Sequence, residues 1–164
     1  MTVQSPSAFS AVVPAPFGAL GIRCAAASLQ QLVYLPPSFA LQAPADPLSE
    51  RVAAQLARYW IEPDFRFDLP LAPLGTVFQR KVWQVIGEID RGDVLTYGEV
   101  ARIVGSAPRA VGQACGANWF PLIIPCHRVT ATGGLGGFSN HADSDGFHLG
   151  VKRWLLAREG VNYV

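Results

Sequence analysis

No stretch of this chain constrains its fold more than residues 121–129, which read Pro-Leu-Ile-Ile-Pro-Cys-His-Arg-Val. The run is apolar, bracketed by prolines and without amphipathic spacing. It therefore predicts a buried strand or extended segment, not a surface element. Its end carries Cys126, His127 and Arg128 in succession, a grouping that no core requires. Two readings of Cys126 stand side by side. A buried cysteine packs as a small hydrophobe; alternatively, a rigid and largely dry segment presents it as a nucleophile.

The 164 residues have room for one ordinary domain or two small ones. Half are hydrophobic and only 15% are charged, so a packed core is expected and extensive disorder is not. Every apolar run is broken well before the ~20 residues that span a bilayer, and no membrane partner is expected. The start lacks a basic stretch followed by an apolar block. With three cysteines, Cys24, Cys115 and Cys126, this fits reduced thiols in a cytoplasmic setting. Net charge is +1, with four basic and five acidic groups in residues 1–75 and nine against seven in 76–164. Any binding to phosphate must then rest on a few placed groups, not on a general field.

Read in order, residues 1–8 form a mobile start. Three short apolar segments follow, Phe9–Val13, Ala19–Cys24 and Leu32–Leu35, with turns at Pro14–Gly18 and Ala25–Ser28. They predict a small antiparallel meander. After a loop over 36–47, Asp46-Pro47 fits an N-cap and first helical position. Leu48, Val52, Leu56 and Tyr59 or Trp60 continue at helical spacing until Pro63. Pro70–Pro73 reads as a linker, dividing the chain into an N-terminal α/β domain, 1–72, and a second domain, 73–164. Thr76-x-x-Gln79 opens a helix through Phe78, Val82, Val85, Ile86 and Ile89 that ends near Gly92. Thr96-x-x-Glu99 opens another through Val100, Ile103 and Val104, with Gly105 as its stop and Pro108 as the start of the next. Two short helices around a glycine turn are the signature of a helix-turn-helix. The second of them, 108–117, is built mostly of small residues. That suits close approach either to a packed helix or to a nucleic-acid groove. The glycines of 133–137 match no phosphate loop, and a last helix holds Val151, Trp154 and Leu155 on one face, ending at Glu159-Gly160.

A thiol nucleophile needs an imidazole, a cation or a helix N-terminus to become a thiolate. His127 and Arg128 adjoin Cys126, yet in a regular strand neighbouring side chains point to opposite faces. His127 can polarise Cys126 only through an irregular backbone or a bridging water. A carboxylate orienting the imidazole completes such a relay, and Asp143, Asp145 and Glu159 are all candidates. The cysteines and histidines lack Cys-x-x-Cys or His-x-x-x-His spacing, so no metal site is expected. On these grounds a redox thiol and a cysteine hydrolase both stay open.

Pro125-Cys126-His127-Arg128-Val129, preceded by Asn118 and Pro121–Ile124, resembles the active-site signature of the O6-alkylguanine-DNA alkyltransferases. The likeness extends through Thr96-Tyr97, Arg109-Ala-Val-Gly112, Gly136–Ser139 and Lys152–Gly160, about 74 to 160 in all. It implies an α+β fold: a small N-terminal antiparallel sheet with a helix, then a mainly helical, winged-helix-like domain carrying the helix-turn-helix. It implies direct, single-turnover transfer of a methyl or larger alkyl group from O6 of guanine in duplex DNA to Cys126, with alkylated thymine left open. The protein would be a monomer without cofactor or metal, and its substrate a nucleotide flipped out of the stack. By the same resemblance His127 is the base through a water, Glu159 orients it, and Asn118 holds the active-site turn. Tyr97 crowds the phosphate and donates to the guanine. The helix-turn-helix enters the minor groove, where small residues such as Ala110 and Gly112 fit and Arg109 takes the place of the flipped base. The carbonyls of Cys126 and Val129 read the exocyclic amine, and Phe138-Ser139 meets O6.

Two features depart from the pattern. Asn140–Gly150 carries an extra loop at the rim of the expected pocket, and Phe138 stands where some members have tyrosine. The alternative reading is a non-catalytic sensor of alkylated DNA that recruits repair factors. Such proteins lack the cysteine present here.

Overall fold

The computed structural model describes residues 8–143 and 145–162. The mobile start expected over 1–8 lies outside them, save for its last residue. The chain divides into two compact units, Met1–Pro73 and Leu74–Val164. Among the described residues no helix is long and apolar enough to cross a membrane.

In the first unit, strands β1 (Ala11–Ala15), β2 (Gly18–Ala25) and β3 (Ser28–Leu35) form an antiparallel sheet in sequence order, the meander anticipated above. The first turn is tighter than expected. Ala15 pairs with Gly18, so β1 continues through Pro14 and only Pro16 and Phe17 make the bend. Proline is tolerated there because β1 is an edge strand. Ala26 and Ala27 join β2 to β3 with φ of 50° and 64°, the left-handed pair of a type I′ turn. Side chains alternate across β2. Ala19 lies in the cluster of Phe9, Val12 and Leu35, and the other parity buries Leu20 and Ile22. Helix α1 (Pro47–Ile61) packs on this sheet with Val52, Leu56 and Tyr59 buried. Its start is fixed twice: Asp46 accepts from the Ser49 amide at 2.8 Å, and Ser49 returns a bond to the Asp46 amide.

The second unit is mainly helical, so the protein has an α+β fold. Helix α2 (Val77–Gly87) opens on the reciprocal box of Thr76 and Gln79. It stops five residues short of the expected Gly92, because Glu88 and Ile89 bond carbonyls only three back and tighten the last turn. Helix α3 (Tyr97–Val104) forms only half of the expected box, Thr96 accepting from the Glu99 amide at 3.1 Å. Gly105, at φ 73°, ends it in the left-handed conformation that a side chain would strain. Helix α4 (Pro108–Gly116) follows, completing the helix-turn-helix. Two long side chains tie the three helices together. Lys81 Nζ caps the Val104 carbonyl at 2.9 Å, and Trp83 Nε1 donates to Ala114 O at 2.8 Å. Strands β4 (Leu95–Thr96) and β5 (Val129–Thr130) pair in parallel, and α5 (Phe147–Arg158) closes the unit.

The apolar run at 121–129 departs from expectation. It is not a strand until Val129. Residues 121–124 make a tight turn in which Ile124 N bonds Phe120 O at 2.9 Å and Leu122 adopts φ 74°. Cys126–Arg128 then form a 3-10 turn. Six of the nine residues, Pro121, Leu122, Pro125, Cys126, His127 and Val129, are buried, so the expectation of burial holds while that of extension does not. The backbone bends because Pro121 and Pro125 donate no hydrogen bond and so cannot complete a ladder. In α5, Trp154 is only half-buried; the buried face is Leu149, Val151, Lys152, Leu155 and Leu156.

Candidate active site

The 3-10 turn presents Cys126. Its amide bonds Ile124 O at 2.8 Å, and the Arg128 amide bonds Pro125 O at 2.9 Å. Asn118, just beyond α4, braces this bend from three directions. Its Nδ2 reaches Ile124 O at 2.9 Å and Cys126 Sγ at 3.2 Å, while its Oδ1 accepts from the Phe120 amide at 2.9 Å. Successive side chains of a 3-10 turn diverge by about a third of a turn, not by half as in a strand. This is the irregular backbone that a Cys-His neighbour pair requires.

His127 is fully buried. Its Nε2 lies 3.0 Å from Glu159 Oε2 at the end of α5. Among the described residues its Nδ1 has no hydrogen-bond partner, so no direct bond joins it to the thiol. Glu159 also receives both arms of Arg128, Nε to Oε1 and Nη2 to Oε2 at 2.9 Å each, and Arg128 Nη1 donates to Ile89 O at 2.7 Å. Burial alone would raise the Glu159 carboxyl, but its hydrogen bonds from His127 and Arg128 hold it down at about 2. Burial, helped by the charges of Arg128 and Lys152, lowers the His127 imidazole against the pull of Glu159. The pair is therefore carboxylate and neutral imidazole, with Nε2–H donated to Glu159 and the Nδ1 lone pair left to act as a base.

A cavity of about 420 Å³ opens over Cys126. Tyr97, Arg109, Gly112 and Cys115 line one side, and Phe138 and Ser139 the other. Asn140, His141 and Ala142, the first residues of the segment expected as an extra loop, also line the cavity, whereas 147–150 of that segment begin α5. Asn140 is latched to α4: its Nδ2 donates to Gly116 O at 3.1 Å, and a Cβ on Gly116 would fall 1.9 Å from Asn140 Oδ1. A side chain there would have to displace the Asn140 amide and so break the latch. Arg109 is exposed near the start of α4. Ala110 and Val129 are not among the lining residues, and Val129 O accepts from Lys152 Nζ at 2.8 Å. Tyr97 Oη donates to Gly137 O at 3.2 Å, and burial, with the neighbouring Cys115 and Cys126, raises its phenol so that it keeps its proton.

The Cys126 thiol itself is pushed well up, first by its hydrogen bond with Cys115 and then by burial. Asn118 and the charge of Lys152 pull the other way. Among the described residues no group of three His, Cys, Asp or Glu side chains is placed to hold a metal.

Two residues escaped the reading of the sequence. Lys152 is fully buried, and its Nζ donates at 2.8 Å to Val129 O, Leu135 O and Gly137 O. It lies 5.7 Å from the ring centroids of both Tyr97 and Phe138. Burial lowers its pKa to about 8 against the pull of the two thiols. The signal was present: a lysine interrupts the apolar spacing Leu149, Leu155 and Leu156. Arg128 was noted only as a neighbour of Cys126, because its partner lies 31 residues away.

Residues 77–161 match the family model described as 6-O-methylguanine DNA methyltransferase, DNA binding domain. The methylated-DNA–protein-cysteine methyltransferase of Methanosarcina barkeri is 36% identical over 159 residues, covering 92% of this chain and 96% of that protein. The protein of the same name from Haemophilus influenzae is 39% identical over 126 residues, 72% of this chain; the match spans only 64% of that relative's length. The crystal structure of Mycobacterium tuberculosis O6-methylguanine methyltransferase superposes with a TM-score of 0.74 at 31% identity, over 90% of each chain.

Proposed function

This chain belongs to the 6-O-methylguanine DNA methyltransferase family, and from its site we infer the reaction. Its function is repair of duplex DNA by direct transfer of an alkyl group from O6 of guanine to Cys126 Sγ. The observation that carries this reading is the position of Cys126, a buried thiol that lines a cavity together with residues of the helix-turn-helix. A base that reaches such a thiol must leave the duplex stack.

In the reaction the S–C bond forms as the C–O6 bond breaks. The electron pair passes into the purine, whose neutral form is restored by a proton. The thiol proton goes to Nδ1 of His127 through a water, and Glu159 stabilises the imidazolium that results. Tyr97 supplies the donor on the guanine side, which its raised phenol pKa supports. Asn118, bonded to Sγ, stabilises the developing thiolate. The product thioether is no leaving group, so each molecule acts once and alone, with no cofactor. One chain carries the whole constellation, which supports a monomer.

The small residues Ala110 and Gly112 suit α4 to a minor groove, and the exposed Arg109 is placed to enter the gap left by the flipped base. Phe138 and Ser139 contact the base, and Val129 acts through its backbone.

Incubation with duplex DNA carrying a labelled O6-methylguanine is expected to move one label per protein molecule. Cys126→Ser should abolish the transfer while duplex binding persists. Transfer at the wild-type level by that variant would overturn the assignment.

A further inference from the structure

Alkyl transfer uses one sulfur, yet the cavity holds two. Cys115, in the last turn of α4, lines the same cavity as Cys126 and lies within side-chain hydrogen-bonding reach of it. Asn118 makes the placement local: its amide bonds Cys115 O at 3.2 Å while its side chain reaches Cys126 Sγ at the same distance. Both cysteines are free thiols, Cys126 buried and Cys115 half-buried. The charge of Lys152, which lies near both sulfurs, pulls the Cys126 thiol back towards the thiolate against burial. A shared metal does not explain the pair, since no third ligand accompanies it among the described residues.

We propose that Cys115 is a resolving thiol for Cys126: a peroxide joins the two sulfurs in a reversible disulfide that protects the nucleophile from irreversible oxidation. One thiolate attacks the peroxide, so that the O–O bond breaks, an S–O bond forms and one water leaves. The other thiol then attacks the sulfenic sulfur, so that S–O breaks, S–S forms and a second water leaves. Two thiols are oxidised by two electrons, one peroxide is reduced, and the four hydrogens appear in two waters. A thiol reductant of the glutathione class reverses the bond by exchange. A protein that acts once loses its whole function if Cys126 reaches the sulfinic state, and a neighbouring thiol intercepts the sulfenic acid before that. The protective role rests on the alkyl-transfer reading, but disulfide formation does not, because neither step involves DNA.

The test treats the full chain, without DNA, with hydrogen peroxide, then caps free thiols and records intact mass and peptide maps. A loss of about 2 Da is expected, with the Cys115 and Cys126 peptides linked and then separated by dithiothreitol. Cys24→Ser should behave identically. Cys115→Ala and Cys115→Ser should instead gain about 32 Da at Cys126. Their thiol recovered on reduction should be about tenfold lower than in the wild type. Absence of the linked peptides, linkage through Cys24, or equal recovery in the Cys115 variants would each overturn the proposal.

Discussion

Glu159 serves three donors, one from His127 and two from Arg128, and all three lie within 3.0 Å of its oxygens. A carboxyl whose folded value is depressed, here from 4.5 to about 2, adds stability that is complete above the unfolded value. That stability is lost as pH falls through the folded one. The displacement corresponds to roughly 3 kcal/mol. Glu159→Gln should therefore lower stability near neutral pH by roughly that amount, since the Arg128 charge is left without its partner. Its deficit should shrink as pH falls from about 4.5 towards about 2. Urea unfolding of both proteins across that range measures it, and parallel stability curves would refute the linkage. His127 was readable as a candidate base because it adjoins Cys126. Its pairing with Glu159 spans 32 residues and came from the resemblance, not from spacing.

At the scale of elements, helix ends were the most legible feature. Asp46-Pro47, Thr76 with Gln79, and Gly105 each act through backbone groups a few residues away, so local sequence is enough to place them. The 121–129 segment was the least legible. Its composition demands burial, but whether buried backbone is paired as a strand or folded into turns depends on partners elsewhere. Helix α5 shows the same limit. Lys152 breaks its apolar face, and only the carbonyls of β5 and the 135–137 segment account for that charge. Lys152→Met should remove the lysine donor from Val129 O and Leu135 O and leave Gly137 O only the longer bond from Tyr97, lowering stability by roughly 3 kcal/mol. It should also speed hydrogen exchange over residues 131–142, the wall of the cavity. Unchanged exchange there, measured by mass spectrometry, would remove the role of Lys152 as the brace of that wall.

For the whole molecule, every residue assigned to the candidate site lies in the unit Leu74–Val164, which also contains the 77–161 family match. The first unit has its own sheet, helix and buried cluster. We therefore expect a fragment of residues 74–164 to unfold cooperatively and to take up label from alkylated duplex within about tenfold of the full chain's rate, as an independently cored domain should. Calorimetry and a transfer assay on the fragment test this. A fragment without a cooperative transition would show that the division at Pro73 is not one of folding units.

Sequence by itself determined what acts over short range: the meander, the capped helices, the glycine turn between α3 and α4, and the adjacency of Cys126 and His127. The tertiary structure alone decided the bend that turns Cys126 into its cavity, the burial of Lys152 under three carbonyls, and the approach of Cys115 to Cys126. The reason is physical. Caps and turns are satisfied by neighbours along the chain, whereas the environment of a buried charge or thiol is made by segments that meet only when the chain has folded.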